Sequence, residues 1–163
     1  MYASSLSTNE WLQGDILNDL PLIAIPDPIT TALTQTLFNV QSRTMMLLNQ
    51  SCDVNNPTNR NFLIFAPVFT VQELHNTGIK IDMEQMADQK YGYWFYLPAE
   101  DPFPESYADL TRILSLPRSI LDKNKRVKSL SDIGRHWLGH KLSLYFGRPF
   151  SPYQNPYKKQ KSA

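Results

Sequence analysis

The chain of 163 residues has one cysteine, Cys52. That excludes an intrachain disulfide framework and any zinc site built from several thiolates. No run approaches the ~18 consecutive apolar residues of a membrane helix. The N-terminus lacks the basic start and apolar stretch of a signal peptide. The expectation is a soluble, cytoplasmic protein with no membrane partner. Conventional catalytic signatures are also absent: there is no glycine-rich phosphate loop, no Gly-x-Ser-x-Gly elbow and no His-Glu-x-x-His. Six glycines and twelve prolines are ordinary usage, and 42% of the residues are hydrophobic, so disorder and low complexity are not expected. A chain of this length buries about 70% of its unfolded surface and needs neither disulfide nor metal to hold a core. No cofactor is implied.

Basic residues are missing from the first quarter. Residues 1–42 carry Glu10, Asp15, Asp19 and Asp27 and no lysine or arginine. Residues 112–163 hold twelve bases against Asp122 and Asp132, so the net charge of +1 hides a strong asymmetry. Such a split marks either a face that meets polyanions or a solvated basic tail. Lys158, Lys159 and Lys161 fall in a Pro/Tyr/Gln/Ser stretch. The organisation expected is one domain over residues 1–150 and a basic, flexible tail over 151–163.

Short apolar runs between turn residues predict more strands than helices. Ser7-Thr8-Asn9-Glu10 reads as a capping box opening one helical turn that Gly14 stops. Strand pieces at 15–17 and 22–25 are separated by Pro21, and 29–42 reads as a long connection. Thr44–Asn49 and Phe62–Ala66 have the continuous apolar character of buried strands. The segment 51–61 is rich in turn chemistry. Two short helical pieces are expected between 71 and 90, around Asn76-Thr77-Gly78. An aromatic strand follows at 91–97 and another strand at 107–114. The clearest element is a terminal helix. Ser129–Asp132 resembles a capping box, Gly147 can end the helix, and Pro149 forbids continuation. Ile133, Trp137, Lys141 and Leu144 recur at helical spacing, with Leu138, Leu142 and Tyr145 on the adjoining face. Gly134 and Gly139 would let another backbone approach. The class expected is mainly β (α+β): a strongly curved antiparallel sheet or barrel of about five or six strands, with the C-terminal helix and short inserted helices.

Isolated chemistry-bearing residues each have two readings. His136 and His140 share a helix face at a spacing two metal ligands can use, or are surface and packing histidines. Cys52 beside Asp53 is a thiol nucleophile or an inert small side chain. Tyr91, Tyr93, Trp94, Phe95 and Tyr96 can stack bases or fill a core, and alternation along a strand favours the core.

The order of segments adds a resemblance. Gly14-Asp15-Ile16-Leu17, then Arg43 before an apolar strand, then Phe65-Ala66-Pro67-Val68-Phe69-Thr70 resembles the PemK/MazF-like family of toxin endoribonucleases. Asp109-Leu110-Thr111-Arg112-Ile113-Leu114 and the turn at Pro117-Arg118-Ser119 are similar to later family segments, as is the closing helix. The likeness runs from about Gly14 to Gly147. It implies an SH3-like antiparallel barrel, a homodimer, an antitoxin or operon-neighbour partner, and metal-independent cleavage of single-stranded RNA. In that family the ribose 2′-hydroxyl attacks the adjacent phosphate. A forked guanidinium suits the equatorial oxygens of the phosphorane, and a threonine hydroxyl can bind the same group. The resemblance therefore assigns catalysis to Arg43 and Thr70. Arg112 and Arg118 match basic positions that hold flanking phosphates, with structural ion pairs as the other explanation. The alternative function is a non-catalytic SH3-like module binding nucleic acid or a partner protein in a bacterial or phage-linked system.

Overall fold

The computed structural model describes residues 1–6, 9–24, 39–56, 58 and 61–147. Five stretches read from sequence lie partly or wholly outside these residues: the capping box at Ser7 and Thr8, the strand piece at 22–25, the connection at 29–42, the turn-rich segment at 51–61 and the tail at 151–163.

The long strand at the centre is β3 (Phe62–Thr70). Phe65–Pro67 pair with Met45–Leu47 of β2 (Asn39–Leu47). The other side of β3 is divided between two partners. Phe62–Phe65 pair with β6 (Leu114–Pro117), and Val68–Thr70 pair with β5 (Ser106–Asp109). Pro67 falls where one partner has ended and the other has not begun, so its missing N–H leaves no gap on that side. β1 (Ile16–Ala24) lies beyond β2, and β7 (Arg126–Lys128) beyond β1; β4 (Trp94–Leu97) closes the other edge. Every pairing is antiparallel.

The protein is thus mainly β, with a C-terminal helix and short inserted helices, as the sequence implies. Among the described residues the strands number seven rather than five or six, and the sheet does not close into a barrel. One of the extra strands has a local cause. The single strand expected at 107–114 is cut by a 3-10 turn, Leu110–Arg112. There the Asp109 carboxylate accepts the backbone N–H and hydroxyl of Thr111, at 2.9 and 2.6 Å, and bends the chain. The break expected at Pro21 does not occur. β7 reaches only Ile16 and Leu17, so at Pro21 that edge of β1 is open and needs no donor. The irregularity sits instead between Leu17 and Leu20, where Asp19 has φ 56°.

Both faces of the central strands are covered, which explains their unbroken apolar runs. Ile16, Met46, Ala66, Phe95 and Leu97 pack on one side with Leu130 and Leu138. Leu17, Met45, Leu47, Leu63 and Phe65 pack on the other with Val54 and Leu116. A third cluster joins Val71, Leu74, Met86 and Tyr107 under Trp94 and Tyr91. The aromatic strand is therefore mostly core. The helical pieces foreseen after β3 are α2 (Val71–Asn76) and α3 (Met83–Ala87). The segment read as a turn-rich loop contains α1 (Ser51–Asn55). Among the described residues no helix is long and apolar enough to cross a membrane.

The terminal helix α4 (Asp132–Phe146) has Ser131 as its N-cap, the Ser131 hydroxyl accepting from the Gly134 N–H. Its buried face is Gly134, Leu138 and Lys141, with Leu142 and Tyr145 packed beside them. Ile133, Trp137 and Leu144 point away and are more than half exposed. Apolar residues occupy both stripes of this helix, so periodicity alone does not choose between them. Lys141 can be buried because its ammonium donates to the carbonyls of Gln89 and Tyr91, each at 2.5 Å.

The two interior glycines of α4 have different roles. A Cβ on Gly134 would stand 2.5 Å from the Met1 carbonyl oxygen, whereas nothing lies within 4 Å of one on Gly139. Gly139→Ala should therefore raise stability by up to about 1 kcal/mol through helix propensity alone. Gly134→Ala should lower it, because the backbone at Met1 must move. Thermal denaturation of the two variants checks the pair; equal shifts would remove the close-approach account.

Candidate functional site

A cleft of about 540 Å³ opens where β1, β2, β3 and the chain before β5 meet. Arg43, Thr70, Glu73 and Lys128 line it, with Asp19 and Phe103. Arg43 does not open a strand, as its resemblance-based position suggests; β2 begins four residues earlier, pairing there with β1 alone. The last β2–β3 pair on this side is Met45↔Pro67. Two residues further along each strand the antiparallel register brings Arg43 toward Phe69. The guanidinium lies over that ring, 5.0 Å from its centroid, a cation–π contact.

Thr70 ends β3 and is the N-cap of α2. Its hydroxyl accepts the Glu73 backbone N–H at 3.0 Å. The Glu73 carboxylate reaches back, and Oε2 accepts the Thr70 N–H at 2.8 Å and the Thr70 hydroxyl at 3.2 Å. Oε1 is 2.5 Å from Nη1 of Arg43. The structure thus brings Arg43 and Thr70 together on the two oxygens of one carboxylate. Partial burial pushes the Glu73 carboxyl up. The Thr70 hydrogen bonds and the Arg43 guanidinium outweigh it and hold the group below its ordinary range. Glu73 is ionised at neutral pH. Sequence reasoning passed over it, although Thr70-Val71-Gln72-Glu73 has the capping-box spacing that would have revealed it.

The two flanking arginines separate. Arg112 is largely exposed, ion-pairs with Asp109 at 3.3 Å, and lies over Phe69 at 5.4 Å. Phe69 therefore carries a guanidinium from β2 and another from the turn after β5. Arg118 is elsewhere. It donates to the carbonyls of Asp53 and Asn56, both at 3.0 Å, and to that of Val54. Asp53 and Val54 lie in α1 and Asn56 is its C-cap; carbonyls at a helix end lack intrahelical partners. Arg118→Ala should cost about 1–3 kcal/mol of stability by stranding those acceptors, and leave anion binding at the cleft unchanged. Chemical denaturation beside a binding titration checks both halves.

The remaining candidates lie apart from this cleft. Cys52 is exposed on α1. His136 and His140 border a second, open depression with Gln13, Leu48 and Phe146. Among the described residues no three His, Cys, Asp or Glu side chains come together as a metal-binding group.

Gly14-Asp15 is part of the scaffold. Asp15 is fully buried and accepts from Arg126 at 3.0 Å, Ser129 at 2.5 Å and the Leu12 N–H at 2.9 Å. Arg126 also donates to the carbonyls of Glu10 and Leu6 and covers the Trp11 ring. The arginine that anchors the acidic N-terminal segment is therefore Arg126. Arg43 stays at the cleft.

The fold and cleft together define a mainly β protein with a guanidinium, a hydroxyl and a carboxylate converging at one open site. No protein-family model matches the chain, and no curated protein matches it.

Proposed function

We propose that the protein is a PemK/MazF-like endoribonuclease of toxin–antitoxin type, cleaving single-stranded RNA without a metal. The observation that carries this reading is the convergence of Arg43 and Thr70 on one two-oxygen anion within a single cleft. A phosphodiester presents a similar pair of oxygens. Arg43 would bind the two equatorial oxygens of the phosphorane, and its charge does not titrate near neutrality. Thr70 would hydrogen-bond the same group. The 2′-hydroxyl attacks phosphorus and gives up its proton to water, the bond to the 5′-oxygen breaks and that oxygen takes up a proton, and the products are a cyclic phosphate and a 5′-hydroxyl end. Arg112, exposed and sharing the Phe69 ring with Arg43, would meet a neighbouring phosphate. The same reading implies a homodimer and an antitoxin chain as partner.

A second reading is a non-catalytic module that binds nucleic acid or a partner protein. It draws on the charge of the cleft, where Asp19 and Glu73 balance Arg43 and Lys128.

One assay separates the two. A single-stranded oligoribonucleotide is incubated with the protein in the presence of a chelator, beside the same oligomer carrying a 2′-deoxyribose at each position. Cleavage of the first only, with a cyclic-phosphate product, is expected from the nuclease. Salt-sensitive binding of both without cleavage would support the module.

A further inference from the structure

The carboxylate between Arg43 and Thr70 belongs to the protein itself. Glu73 occupies one nitrogen of Arg43 and takes the only proton of the Thr70 hydroxyl. An external phosphate that is to use either group in full must displace it. We propose that Glu73 is an internal competitor for the anion position, so that the cleft rejects single phosphates and admits only polyanions. The inference rests on the nucleic-acid reading above and names the residue that sets its substrate class.

The physical case has three parts. First, the pair is easily exchanged. The side chains of Arg43 and Glu73 are 29% and 39% exposed, and solvent reaching an ion pair reduces its net strength. Second, the competitor is tethered. Glu73 is held three residues from Thr70 by the capping box, and such tethering gives an effective concentration in the ~mM range or above. Free phosphate at lower concentrations does not outcompete it. A single-stranded polynucleotide does, because its neighbouring phosphates gain Arg112 and Lys128 as well. Third, a further phosphate has cations to meet: Arg112 is largely exposed in its pair with Asp109 at 3.3 Å, and Lys128 reaches a half-exposed Glu100 at 2.7 Å.

Glu73→Gln tests this with the fold preserved, since glutamine also serves at the third position of a capping box. The probes are inorganic phosphate and a single-stranded oligoribonucleotide, titrated into wild type and variant over a range of salt. Matching circular dichroism and a cooperative melt are required of both, with a slightly lower midpoint expected for the variant, which lacks the Glu73 charge. Expected are phosphate binding by the variant alone and a rise of about tenfold in oligonucleotide affinity. The dependence of log affinity on log salt should steepen by about 0.7, one further cation for a single strand. Arg43→Ala added to Glu73→Gln should abolish the gain. If wild type and variant bind the oligonucleotide with the same affinity and slope, the competitor role is overturned and the nucleic-acid reading survives. If neither binds either probe at low salt, removal of Glu73 has opened no anion site, and both fall.

Discussion

Asp15→Ala should lower stability by about 3–5 kcal/mol, the range found when one partner of a buried ion pair is removed. For a protein of this size that is a fall in melting temperature of about 10 °C or more. The cause is what remains behind. Asp15 is fully buried and Arg126 is 4% exposed at its side chain, so the substitution removes the buried carboxylate that faces the guanidinium. It also strands the Ser129 hydroxyl and the Leu12 N–H. Arg126 would keep the Glu10 and Leu6 carbonyls, which do not neutralise it. Adding Arg126→Met should restore part of the loss, because an apolar side chain carries no charge to desolvate. Thermal melts of the single and double variants check this. A loss under 1 kcal/mol in Asp15→Ala would show the pair to be structurally dispensable.

If the proposed nuclease reading holds, Arg43→Ala should reduce RNA cleavage by about 10²–10³-fold, the usual loss when one donor to a developing oxyanion is removed. Stability should fall by less than about 1 kcal/mol, since the pair with Glu73 is partly exposed. Arg43→Lys should recover little, because an ammonium keeps the charge and loses the fork and the stacking on Phe69. The two readouts must diverge. If cleavage in Arg43→Ala falls only in proportion to the folded fraction, the arginine is a scaffold residue and the catalytic assignment fails. Glu73 adds a pH dependence to stability. Its folded carboxyl is held below the unfolded value, so its contribution is present above the unfolded pKa. That contribution disappears as pH falls through the folded one.

Several elements were legible because their signals are local. The apolar runs in β2 and β3 read correctly as strands buried on both faces. Ser131 and Gly147 mark the ends of α4 by cap chemistry, and Gly78, with φ 76°, separates the two short helices after β3. Other elements were not. α1 looked like a loop because only five residues form it, and its carbonyls are satisfied by Arg118 from 62–65 residues away. β7 is three residues long and gains its identity from β1. The buried stripe of α4 was ambiguous until the carbonyls of Gln89 and Tyr91 accounted for Lys141.

Composition, turn residues and cap spacing by themselves determined a β-rich chain and the bounds of its terminal helix. Those signals act over a few residues and need no partner. Tertiary structure alone decided what each charge does. It set Arg43 on Glu73 across 30 residues, Arg126 on Asp15 across 111, and Arg118 on α1 instead of the cleft. The reason is register: a side chain's neighbours in an antiparallel sheet depend on which residue faces it. Long-range alignment sets that, and no local pattern encodes it.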